Sequence, residues 1–205
     1  MTRMPVAAPQ NPNGSKLQRI DVAIANRQRT RAVDLRVLRR IVQTLLSDLL
    51  QIRRAELGIC LVAAPEMTRL NETFLRHAGS TDVIAFDYAR QPTPDPSQEG
   101  NRAPGVCLSS PPGRGQGWVL CGEIFVCVDE AVVQARRFRT SWQSELVRYL
   151  VHAILHLLGF DDARPIARRK MKREENRLLR ELTSRFPLTG LANPRRPQQP
   201  RPCRS

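Results

Sequence analysis

The chain has 205 residues, room for one domain plus tails, and its 41% hydrophobic content excludes a wholly disordered protein. A formal charge of +14 points to a polyanionic partner: nucleic acid, ribosome or an anionic surface. Five cysteines without a CxxC pair exclude a disulfide framework or a cysteine zinc knuckle, and no apolar run is long enough to span a bilayer.

Residues 1–18 are polar, rich in Pro, Gly and Asn, and expected to be unstructured. No signal-like apolar stretch occurs there, so a cytoplasmic protein with reduced thiols and no membrane contact is expected. Ile20 to Ala25 alternates as a strand. Asp34 is a candidate N-cap for a helix to about Leu50, because Leu38, Ile41, Val42, Leu45 and Leu49 recur at helical spacing. Leu57 to Ala63 reads as a buried strand. Pro65 opens a second helix, which passes Leu70 and Phe74 and stops near Gly79. Asp82 to Tyr88 is a third strand. Residues 90–117, dense in Pro, Gly, Ser and Gln, exceed an ordinary connection and read as an inserted flexible loop.

Strand character returns at Val119 and continues to Val128, followed by helices at Glu130–Phe138, Ser141–Leu158 and Pro165–Phe186. The remainder, 187–205, reads as a disordered basic Pro/Arg tail. The element order βαβαββααα therefore implies a single α+β domain over 19–186, with about four strands in a sheet covered by helices. Cys60 and Cys127 sit in apolar runs and read as core residues.

The chain has three histidines, two of them four residues apart in His152-Ala-Ile-Leu-His156. On a helix that spacing puts both rings on one face, within reach of one metal ion. At about 100° per residue, Leu146, Leu150, Ile154, Leu157 and Leu158 form one apolar arc, with the histidines at its edge and Glu145 in line two turns earlier. Gly159 is a natural helix stop, after which Asp161 or Asp162 can return to the same ion. Three protein donors leave a position for water, the catalytic rather than the structural arrangement. Core or surface roles for two helix histidines are the competing reading. Ala153 stands where a zincin protease has its glutamate, which argues against that class.

The run His152-Ala-Ile-Leu-His156-Leu-Leu-Gly-Phe-Asp-Asp162 resembles the H-G-x-L-H-L-x-G-Y-D-H signature of the YbeY family of endoribonucleases. Upstream, Leu70-Asn71-Glu-Thr-Phe74 and Ser80-Thr81-Asp82-Val83-Ile84-Ala85-Phe86 resemble that family's L-N-x-x-Y-R and P-T-D-V-L-S-F. Gly122-Glu123-Ile124 is similar to its G-D-I strand start, and Met171-Lys-Arg-Glu-Glu175 to its M-x-x-x-E helix. The resemblance implies a mixed sheet with a metal site at the end of the HxxxH helix. It also implies a zinc-dependent, single-strand-specific endoribonuclease. Its implied setting is rRNA processing at the 16S rRNA 3′ end and ribosome quality control, with rRNA and the small ribosomal subunit as partners.

Departures from the family pattern define the open positions. Asp162 replaces the family's third histidine, which the resemblance makes the third ligand beside His152 and His156; two histidines and a carboxylate also suit other divalent metals. Leu75 stands at the family's arginine, with Arg76 next to it; Arg76 is a candidate phosphate clamp or a solvated arginine. Asp82 either orients a ligand or caps a strand, and Glu145 either partners a ligating imidazole or is a surface acid. Arg168, Arg169, Lys172 and Arg173 are candidate RNA contacts on the last helix, against the alternative of a solvated face. The competing function is a non-catalytic RNA- or ribosome-binding assembly factor with a structural metal; a hydrolase of another substrate is a third.

Overall fold

Alternation along the apolar runs decides which way each strand faces. In the computed structural model, which describes residues 19–88 and 119–192, four strands form one mixed sheet in the order β1-β2-β4-β3. These are β1 (Arg19–Asn26), β2 (Arg54–Val62), β3 (Val83–Asp87) and β4 (Val119–Cys127). β1 and β4 both run parallel to β2, while β3 is antiparallel to β4. Five helices complete the domain: α1 (Leu35–Thr44), α2 (Ala64–Leu70), α3 (Val128–Phe138), α4 (Trp142–Leu157) and α5 (Pro165–Arg185). The α+β class and the element order match the expectation. The segments 1–18 and 90–117, and residues 193–205 of the expected tail, lie outside the described residues.

One face of the sheet presents Val22, Leu57, Ile59, Leu61, Ile124 and Val126 to α1 and α4, and α5 packs on α4 from outside to complete the main core. The other presents Cys60, Val62, Ile84, Phe125 and Cys127 to Met67 of α2, a smaller cluster. Cys60 and Cys127 are thus core residues, as expected. α4 is apolar almost all round, with Leu146, Leu150, Val151 and Ile154 fully buried, so it lies inside the main core as its pattern requires. Its N-cap is Ser141, whose hydroxyl accepts from the Ser144 N–H at 3.1 Å.

Asp34 caps α1 as its position predicts: its carboxylate accepts from the N–H groups of Arg36 (2.9 Å) and Val37 (3.1 Å). Asp34→Ala leaves both donors unpaired at a buried helix start and is expected to cost about 1 kcal/mol, measured as a shift of the urea midpoint. The helix does not run evenly to residue 50. Past Thr44 it widens into one π turn, Leu45–Leu49, closed by the Leu50 N–H on the Leu45 carbonyl at 3.0 Å.

The chain does not become unstructured at 187. Residues Leu188–Ala192 form a 3₁₀ turn, Leu191 is fully buried, and its carbonyl accepts from the Asp34 N–H at 2.9 Å. The cause is local: Leu188 and Leu191, three apart among prolines and polar residues, supply an apolar face that packs on the main core.

Gly122 sits where β4 crosses both β3 and α4. A Cβ there would lie 2.6 Å from the Phe86 carbonyl oxygen and 3.2 Å from a Leu157 methyl. Only glycine allows the three elements to approach this closely. Leu157 adjoins His156, so this contact helps set the end of α4 that holds the site.

Candidate metal centre

His152 and His156 lie one turn apart at the edge of α4's buried surface, with side chains 26% and 36% exposed. Their Nε2 atoms are 3.1 Å apart. Asp162 places one carboxylate oxygen 4.0 Å from each of these nitrogens, and the three donors all lie within 4.8 Å of one another. The third ligand favoured by the resemblance is thus the carboxylate that the fold brings to the pair. Asp161 turns away: its carboxylate accepts from the Ala163 N–H at 2.9 Å and closes the loop on itself.

The loop arrives there by a Schellman stop. The Phe160 N–H bonds to the Leu155 carbonyl at 3.0 Å and the Gly159 N–H to the His156 carbonyl at 2.8 Å. Gly159 takes φ of +86°, which a side chain would disfavour. The turn swings the Phe160 carbonyl to 3.1 Å from His156 Nδ1. His152 Nδ1 has its own partner, Glu175 Oε2 of α5, at 3.2 Å. Each ring therefore has its Nδ1 occupied from outside and its Nε2 turned inward, the arrangement of histidines that ligate through Nε2.

The donor set fits a divalent ion. Two imidazole nitrogens on one tetrahedral metal stand about 3.3 Å apart at the usual bond lengths, close to the separation present here. Burial, and then the neighbouring His152, lowers the His156 pKa below that of an ordinary histidine, favouring the neutral form that binds metal. His152, Asp162, Arg168, Met171, Lys172 and Glu175 line a recess of about 210 Å³ at the site.

Glu175 is the residue that the sequence reading did not assign. It is 3% exposed. Burial raises its pKa, but hydrogen bonds from His152, Lys172 and Arg148 outweigh that cost and bring the carboxyl down to about 2. The signal was present in the sequence. Met171, Glu175, Leu178 and Leu182 form the buried stripe of α5, and an acid on such a stripe needs partners.

Glu145, read as either a partner of a ligating imidazole or a surface acid, is neither. It is buried on α4, accepts from the Thr140 hydroxyl at 2.6 Å and pairs with Arg148 at 3.3 Å. Seven residues along a helix is about 10 Å, beyond a glutamate's reach to His152. Its link to the site runs through Arg148, which bonds to Glu175 at 2.8 Å.

Arg76 is exposed and ends the π turn Asn71–Leu75 in the left-handed conformation, φ 57°. Leu75, at the family's arginine position, packs on the smaller core cluster. Asp82 accepts from the Val83 N–H at 2.9 Å and the Thr81 hydroxyl at 3.1 Å, which is a strand-capping geometry. Among the described residues, neither Arg76 nor Asp82 bonds to the three donors. Arg168, Arg169, Lys172 and Arg173 are all exposed on α5. Arg168 holds the loop through its Nε on the Asp162 carbonyl at 2.9 Å, and Lys172 pairs with Glu175 at 2.7 Å. No helix among the described residues is long and apolar enough to cross a membrane.

Comparison with known proteins agrees with this architecture. The family model for endoribonuclease YbeY matches residues 23–183. A protein of Salinibacter ruber named endoribonuclease YbeY is 31% identical over 150 residues, 73% of this chain and 84% of that protein. One of Chlorobium phaeovibrioides with the same name is 34% identical over 116 residues, 57% of this chain and 61% of that protein. The solution structure of a Thermotoga maritima protein superposes with a TM-score of 0.53 at 18% identity, covering 87% of this chain and 99% of that one, which extends the likeness to the fold. With the family model spanning the sheet, the paired histidines and most of α5, the chain belongs to the YbeY family.

Proposed function

We propose that this protein is a metal-dependent endoribonuclease that hydrolyses phosphodiester bonds in single-stranded RNA, with Zn2+ held by His152, His156 and Asp162. The observation behind the reading is the pair of Nε2 atoms, 3.1 Å apart, with both Nδ1 atoms held from behind and a carboxylate facing them. The relatives' name, endoribonuclease, supports RNA as the substrate.

When bound, the ion acts as a Lewis acid toward a phosphoryl oxygen and lowers the pKa of its water toward about 7. The chain supplies the positioning. Arg168, Arg169 and Arg173 on α5, with Lys172 at the rim of the recess, draw the phosphate backbone to the site. Arg76 is the proposed phosphate clamp, its guanidinium matched to two phosphate oxygens. Asp82 holds the start of β3, whose far end meets α4 across Gly122, and so orders the site's flank. The proposed setting is the cytoplasm, in rRNA processing at the 16S rRNA 3′ end, with rRNA and the small ribosomal subunit as partners.

One observation favours a second reading, a non-catalytic RNA- or ribosome-binding assembly factor with a structural metal: Leu75 is committed to packing where the family pattern has an arginine. Elemental analysis and cleavage of single-stranded RNA by wild type and Asp162→Ala separate the two. About one zinc per chain in the wild type, much reduced in the variant together with cleavage, is the expected result. Zinc without cleavage selects the assembly factor. No metal after remetallation sinks the hydrolase reading.

A further inference from the structure

We propose that Glu175 sets the proton position on His152, and that Arg148 and Lys172 fix which of its oxygens faces the ring. The two oxygens of this buried carboxylate have separate tasks. Oε1 takes the Arg148 guanidinium at 2.8 Å and the Lys172 ammonium at 2.7 Å. Oε2 is left for His152 Nδ1 at 3.2 Å. An ionised carboxylate only accepts hydrogen bonds, so Nδ1 must carry the ring proton and donate it. Nε2 is then a bare lone pair, turned toward His156 Nε2 and Asp162. Glu175 is thus a positioning residue: it touches neither the proposed ion nor the RNA and acts through the imidazole.

The split between the oxygens gives an unusual consequence for a near-isosteric change. Glu175→Gln keeps shape and volume but replaces two acceptors with one oxygen and one NH2 group. Arg148 and Lys172 can only donate, so the amide oxygen stays on their side and the NH2 faces His152. Nδ1 must then accept. The ring proton moves to Nε2 and covers the lone pair that would bind the ion. The opposite amide orientation sets an NH2 against two cations and is worse. Losing an outer partner of a ligating histidine typically weakens metal binding 10–100-fold, and a reversed tautomer puts this variant near the 100-fold end.

The inference uses the metal reading for its functional consequence, while the tautomer can be tested without metal. Long-range proton–nitrogen NMR spectra of the isotope-labelled, metal-free full chain, at about pH 8, above the ordinary histidine range, locate the ring proton. Zinc affinity is read by competition with a chromophoric chelator. The expected result is Nδ1–H on His152 in the wild type, Nε2–H in Glu175→Gln, and zinc bound roughly 100-fold more weakly by the variant. A wild-type His152 without a proton on Nδ1, or a folded variant that keeps Nδ1–H and full zinc affinity, overturns the proposal. If the variant does not fold, the wild-type spectrum alone decides. Wild-type protein that binds no zinc removes the metal reading, and the spectra still settle the tautomer.

Discussion

Alanine at His152 or at His156 is expected to reduce RNA cleavage by about a thousandfold or more and to leave the domain folded. Each substitution removes one of the three proposed donors, and the two that remain would not hold an ion at a site that needs three. The loss of rate is then the loss of the ion's whole contribution, about 4 kcal/mol or more of barrier. Stability should change by less than about 1 kcal/mol, because both side chains are partly exposed at the edge of α4. His152→Ala does not strand its buried partner either, since Glu175 keeps Arg148 and Lys172. Single-turnover cleavage beside urea unfolding tests both halves. Cleavage that survives in either variant places the chemistry elsewhere; unfolding makes the pair structural.

The second large effect comes from a residue without a side chain. Gly122→Ala puts a methyl group 2.6 Å from the Phe86 carbonyl and against both Leu157 methyls. Leu157 can yield by changing rotamer, but the carbonyl belongs to β3, which the ladder with β4 holds in register, with Asp87 opposite Gly122. β3 must therefore move outward or α4 must shift, and overpacking of this kind costs about 3 kcal/mol. For a domain of this size that is a fall of roughly 10 °C in Tm. Because Leu157 follows His156, affinity for the proposed ion should fall as well. An unchanged melting temperature means β3 and β4 separate more easily than their pairing indicates.

Which parts of this molecule could be read from its sequence follows from what periodicity encodes. Most strands and helices appeared in order because each has a periodic apolar pattern, and Asp34 marked a helix start through a local bond to the backbone. The histidine pair was legible because helical spacing alone puts both rings on one face. Glu145 could not be settled from a helical wheel: it lines up with His152 but stands too far along the axis, and its partners Thr140 and Arg148 follow from packing rather than angle. The partner of His156 is a backbone carbonyl, at Phe160, and a carbonyl has no letter in the sequence. Glu175 could have been found by asking what an acid does on the apolar stripe of α5. The fold of residues 187–192 was hidden by composition, since prolines and arginines masked two leucines that complete the core.

The centre is mechanically uneven. His152 and His156 belong to a helix packed into the main core, so their Cα positions cannot separate without disturbing the whole domain. Asp162 belongs to the short connection between α4 and α5, and its side chain is 47% exposed. An ion held by all three therefore has a stiff side and a soft side. Its escape would need a swing of one loop, a movement of nanoseconds to microseconds, whereas unfolding of α4 would take the entire structure apart. Exchange of an ion bound there would thus be governed by the residence of a single carboxylate, and it could be fast in a protein that is itself long-lived.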